Sequence, residues 1–115
     1  MIRHFRDLEI YKESQQLYVK VVEFTKDFPQ EARHLKDQMC RSANAIHADI
    51  AEGFGRSVAE FKMYLTRVLG SCNETESHIE DAVNAKFGNE KSGKELMKKY
   101  EILGKKIYRL RENWN

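Results

Sequence analysis

The sequence predicts an all-α protein, an antiparallel up-down-up-down four-helix bundle forming a single domain over residues 1–115. Three observations predict it. One proline and six glycines in 115 residues leave too few turns for a β-sandwich or barrel. Apolar residues recur at alternating spacings of three and four along most of the chain, the period of helices with one buried face. The pattern breaks only at three short corners, and short connections between long helices favour antiparallel neighbours. A hydrophobic fraction of 41% argues against disorder, and this length suits one core but not two.

The first helix is expected over residues 7–26. Leu8, Tyr11, Gln15, Tyr18, Val22 and Thr25 form its stripe, widened by Val19, Val21 and Phe24, with Asp7 as N-cap. It stops at "DFPQE", where Pro29 disfavours helical geometry at Phe28 and suits the first turn of a new helix. The second helix, 29–52, turns Ala32, Leu35, Met39, Ala43, Ile46 and Ile50 inward. The third, 58–87, does so with Phe61, Leu65, Val68, Cys72, Ile79 and Val83. Gly70 in its middle costs about 1 kcal/mol against alanine, which implies a packing reason. The fourth, 92–113, carries Leu96, Tyr100, Leu103, Ile107, Leu110 and Trp114, with Ser92 and Glu95 as a capping box.

The corner "IAEGFGRS" joins the second and third helices. Glu52 at a helix C-terminus and Arg56 before a helix N-terminus each oppose the local dipole, so a mutual ion pair is expected. Gly53 fits a left-handed C′ residue with Phe54 folding back, and Ser57 with Glu60 forms a capping box. The competing reading is a phosphate loop built from free amides and Arg56. "GFGRS" lacks the preceding strand and the fuller glycine pattern of nucleotide-binding loops.

Charge and chemistry narrow the function classes. No apolar run approaches the roughly 18 to 20 residues of a membrane span, and "MIRHFRDLEIYKES" is too charged for a signal peptide. Cys40 and Cys72 lack CxxC spacing and read as reduced thiols, so a cytoplasmic location is expected. Net charge is +2, but residues 70–90 hold one lysine against five acids, while 91–115 hold eight bases against three acids. Lys94, Lys98, Lys105 and Arg109 approximate a stripe on the last helix that suits either phosphates or water. Arg33, Lys36 and Arg41 only partly share a face. Tyr11, Tyr18, Tyr64, Tyr100 and Tyr108 are core edges or subunit contacts before they are base-stacking platforms.

A di-iron bundle needs two Glu-x-x-His pairs, and Glu31/His34 is the only one; the four histidines read as surface or interface residues. Ser71 beside Glu74 has no histidine between them and no oxyanion hole, and is expected to bond back to a helix carbonyl. Cys72 reads as an inert core thiol. No catalytic residue, metal or cofactor is expected.

"FRDLEIYKES", "FP" at 28–29, "LKDQMCRSANAIHADIAEGFGRS" and "EFKMYLTRVLGSCNETE" resemble the four-helix-bundle family first found encoded in intervening sequences of bacterial 23S ribosomal RNA genes. The resemblance spans nearly the whole chain. Gln38, Arg41, Glu52, Gly53, Arg56, Glu60, Gly70, Ser71 and Glu74 match its pattern, as do Gly55 and Ser57 of "IAEGFGRS". Cys40 stands where a second arginine is common and Asp49 where asparagine is usual, which makes that face less positive. The resemblance implies a cytoplasmic, ring-like homopentamer without a membrane. It also implies kinship with retroelement accessory proteins that bind a reverse transcriptase and nucleic acid through basic surfaces.

The expectation is therefore a non-catalytic oligomeric accessory protein, associating with RNA through Arg41, Arg56, Lys98, Lys105 and Arg109. Glu52 and Glu74 would hold the assembly. The alternative is a scaffold acting through its subunit interface without nucleic acid.

Overall fold

Four α-helices make up most of the chain in the computed structural model, which describes residues 1–115: α1 Glu9–Thr25, α2 Arg33–Gly53, α3 Val58–Ala85 and α4 Glu90–Asn113. Short 3-10 turns, Phe5–Asp7 and Gln30–Ala32, precede α1 and α2, and there is no strand. α1 packs on α2 and α4, and α3 packs on the same two helices, as in a bundle. The molecule measures 44 × 20 × 20 Å. Its length is that of α3, since 28 residues at about 1.5 Å each span about 42 Å.

The helix ends depart from expectation for identifiable reasons. Asp7 is not the N-cap of α1. Its carboxylate accepts from the amides of Arg3 and His4, both at 3.0 Å, and closes the preceding 3-10 turn. α1 then starts behind Leu8, which has no capping side chain. α3 stops at Ala85, not Phe87. Lys86 takes the left-handed conformation (φ 63°), and the Phe87 amide returns to the Ala82 carbonyl at 2.8 Å. α4 begins earlier than the Ser92/Glu95 box predicts. Its cap is Asn89, whose Oδ1 accepts from the Ser92 amide at 2.8 Å.

One cluster of 19 buried apolar residues runs through all four helices. Ile46, Ile50, Leu65, Val68, Ile79 and Ile107 are fully enclosed, and the expected stripes of α2, α3 and α4 supply most of the core. α1 differs. It buries Ile10, Ser14, Leu17, Val21, Phe24 and Thr25, while Tyr11, Tyr18 and Val22 lie half-buried beside them and Gln15 is exposed. Leu8, Val21, Phe24 and Thr25 are buried as expected, but the middle of the expected stripe, Tyr11 to Val22, lies one residue past the buried one, and Val19 is exposed. Ser14 hid the true one, because its hydroxyl satisfies itself on the Ile10 carbonyl and can be buried like an apolar group.

Candidate functional site

The α2–α3 corner shows what its residues do. Gly53 is still helical and buried, not a left-handed terminus. A Cβ there would stand 2.6 Å from Tyr64 Cβ and 2.7 Å from Tyr64 Cγ, so this glycine lets α2 and α3 close on each other. The left-handed residue is Gly55 (φ 87°), which has open space around it and is there for its backbone conformation. Phe54 is half-buried and meets Phe61 and Trp114 edge-on, with ring centroids 6.0 and 6.4 Å away.

The Glu52–Arg56 ion pair does not form. Arg56 Nε donates to the Glu52 backbone carbonyl at 2.9 Å, its Nη1 approaches Glu60 Oε2 at 3.8 Å, and its guanidinium lies 5.0 Å from the Tyr64 ring centroid. Glu52 instead accepts from the Tyr64 hydroxyl at 3.3 Å. A positive group on a C-terminal carbonyl answers the dipole of α2 directly, which a side-chain pair would not. Ser57 Oγ accepts from the Glu60 amide at 3.2 Å, and its hydroxyl donates to Glu60 Oε1 at 2.9 Å. The serine half of the expected capping box is present. The glutamate bonds to the serine side chain, not to its backbone.

At "GSCNE", Gly70 is exposed and a Cβ on it would meet nothing within 4 Å, so no packing inside the chain explains it. Ser71 does not bond back to a carbonyl. Its own carbonyl accepts from Thr75 Oγ1 at 2.8 Å, and the same hydroxyl lies 2.7 Å from Ser42 Oγ on α2. Glu74 is exposed and meets His78 Nε2 at 3.2 Å.

Cys72 is buried, with its thiol pushed up to about 12 by burial and then by Glu76, and it donates to the Tyr100 carbonyl at 3.3 Å. Such a thiol is not a nucleophile. Tyr100 lies fully inside, its hydroxyl without a partner, its phenol pushed up by burial and then by the two thiols. Cys40 and Cys72 are both free. His47 is not a surface histidine: it lies half-buried in the α1–α2 seam, 6.0 Å from the Tyr11 ring and 5.5 Å from that of Tyr18. Burial lowers its pKa. Glu31 and His34 are exposed at the start of α2, and no three metal-ligating side chains converge anywhere.

Arg41, Arg56, Lys98, Lys105 and Arg109 are all exposed but do not form one patch. α2 and α4 are not neighbours, which separates Arg41 from the α4 cations, and Arg56 is held at the corner. On α4 itself, Lys94 pairs with Glu90 at 3.3 Å and Lys105 with Glu101 at 3.7 Å. Lys98 and Arg109 have no carboxylate in ion-pair range. Lys105, Tyr108 and Arg109 border a groove of about 550 Å³ between α3 and α4, with Leu69 and Glu76 on the other wall. Burial, followed by Glu101 and Glu80, raises the Glu76 pKa. Gln38 is half-buried on α2.

The family model for 23S rRNA-intervening sequence proteins matches residues 6–109, which takes in the corner, the "GSCNE" turn of α3 and most of α4. The chain belongs to that family. No curated protein matches it. Within this family frame, the tertiary contacts that no sequence pattern announced are the cross-helix ones. Lys106 reaches Glu13 at 2.6 Å and Glu9 at 3.8 Å, and Arg111 donates to Thr66 at 2.7 Å. No helix is long and apolar enough to cross a membrane.

Proposed function

We propose that the protein is a non-catalytic, homo-oligomeric accessory factor of the cytoplasm that associates with RNA through its exposed cations. Its four helices run up-down-up-down in antiparallel fashion. That sense is supported by Lys106, late in α4, reaching Glu9 and Glu13, early in α1, and by Glu52, late in α2, reaching Tyr64, early in α3. Family membership supports assembly into the ring-like pentamer that the resemblance implies.

The observation that carries the reading is where the reactive residue types lie. Cys72 and Tyr100 are sealed in the core, and Ser71 stands without a base, while the exposed surface is dominated by charge. Cys40, the one partly exposed thiol, meets only the Thr25 hydroxyl and no base, so chemistry is left without an activated nucleophile and binding is left with a surface. Arg41, Lys105 and Arg109 make the phosphate contacts, with Arg56 at the corner, and a reverse-transcriptase-type protein is the kind of partner such a factor would serve. The second reading, a scaffold without nucleic acid, is favoured by the in-chain neutralisation of Lys94 and Lys105.

The test is retention of cellular RNA by the purified protein at low salt, compared with the Arg41→Glu, Lys105→Glu, Arg109→Glu triple variant. Loss of RNA with unchanged helicity and unchanged mass supports RNA association, which weakens steeply as salt rises. Equal retention by the variant removes these residues from the role. Absence of RNA from the wild-type protein favours the scaffold.

A further inference from the structure

The charge imbalance lies on two neighbouring helices that do not neutralise each other. α3 and α4 pack side by side, yet no ion pair joins an acid of α3 to a base of α4. Glu74 meets only His78 of its own helix, and Asp81, Lys91 and Lys98 have no charged partner, although all four are exposed. The spacings match. Glu74 and Asp81 are seven residues apart, as are Lys91 and Lys98, about 10.5 Å or two turns in each case.

The heights match too. The Cys72 thiol sits on the Tyr100 carbonyl at 3.3 Å, and a Cβ at Gly93 would lie 2.7 Å from Val83 Cγ2. That register sets Glu74 close to the level of Lys98 and Asp81 close to that of Lys91. Gly70, one turn from Glu74 on the same side of α3, is unfavourable inside a helix, and nothing in its own chain requires it. Another backbone coming close would.

We propose that the outer side of α3 in one copy docks against the outer side of α4 in a second copy of this chain. Glu74 and Asp81 pair with the second copy's Lys98 and Lys91, and Gly70 admits the approach. The proposal rests on the oligomeric reading above and assigns Lys98 to assembly, leaving RNA to the other cations. Because the pairs are exposed, assembly weakens as ionic strength rises.

The experiment measures mass by light scattering after size exclusion, with helicity as the check on folding. Glu74→Lys with Asp81→Lys, and separately Lys91→Glu with Lys98→Glu, are each expected to weaken association at least about tenfold. Combining all four changes in one chain restores the pairs with signs reversed and recovers the wild-type mass. Gly70→Trp, which leaves the charges alone, also lowers the mass. A wild-type monomer at every concentration overturns both this proposal and the oligomeric reading. A wild-type oligomer whose mass survives either charge reversal, or is not recovered in the fourfold variant, overturns this proposal alone. So does loss of RNA without loss of mass in Lys91→Glu with Lys98→Glu.

Discussion

Two glycine-to-alanine changes should have opposite effects, although both glycines sit in α-helices. Alanine gains about 1 kcal/mol over glycine from helix propensity wherever nothing intervenes. At Gly70 nothing lies within 4 Å of the new methyl group, so Gly70→Ala should stabilise the folded chain by up to about 1 kcal/mol. At Gly53 the methyl group would stand 2.6 Å from Tyr64 Cβ, an atom that cannot rotate away without moving α3. Overpacking of this kind costs about 1–3 kcal/mol, and separating the helices also strains the Tyr64–Glu52 hydrogen bond and the Arg56–Tyr64 stack. Set against the propensity gain, Gly53→Ala should lose about 1–2 kcal/mol net.

For a chain of this size each kcal/mol moves the midpoint by roughly 4 °C. Urea and thermal unfolding followed by circular dichroism, at protein concentrations low enough to keep assembly out of the measurement, would read both shifts. Gly53→Ala as stable as the wild type would refute the close-approach account of the corner. A similar loss from Gly70→Ala would refute the idea that surroundings, and not helix position, distinguish the two.

Other consequences follow from single contacts. Glu76 has a folded-state pKa raised by burial and by Glu101 and Glu80. Its ionisation therefore opposes folding: stability is full below the unfolded pKa and falls as pH rises through the folded one. Glu76→Gln should raise the unfolding midpoint at about pH 7 and leave it unchanged at about pH 3; an equal gain at both would point to packing instead. Thr75→Val removes the hydroxyl between Ser71 and Ser42 and should cost about 1–2 kcal/mol in urea unfolding, with a neutral result refuting the bridge. Iodoacetamide should modify Cys40 in the native protein but reach Cys72 only after denaturation, by mass spectrometry of the labelled peptides.

The number of helices and most of the inward residues of α2, α3 and α4 were legible in the sequence, because apolar period and scarcity of breakers are local properties. The middle of α1 was read one residue out of phase, since a serine that bonds its own helix behaves as an apolar residue and composition does not show that. The corner illustrates the same division. Ser57 as a cap and the presence of a turn followed from residue type. The assignment of left-handed geometry to Gly53 failed because either glycine could have supplied it, and only the approach of Tyr64 decides which glycine is for space and which for conformation.

The partners of long charged side chains were the least legible feature of all. Arg56 had Glu52, Glu60 and a backbone carbonyl within reach along the chain, and the choice among them depends on where Tyr64 places its ring. The same holds for the candidate surface, where residue counts located an acidic segment followed by a basic one. Only the tertiary structure showed that the two run level with each other and that no ion pair joins one to the other. The sequence by itself determined helices and the side of each that avoids water, because those depend on neighbours three and four residues away. The fold decided which charges meet across helices, as Lys106 does Glu9 and Glu13, because that depends on distances between helices that no local pattern encodes.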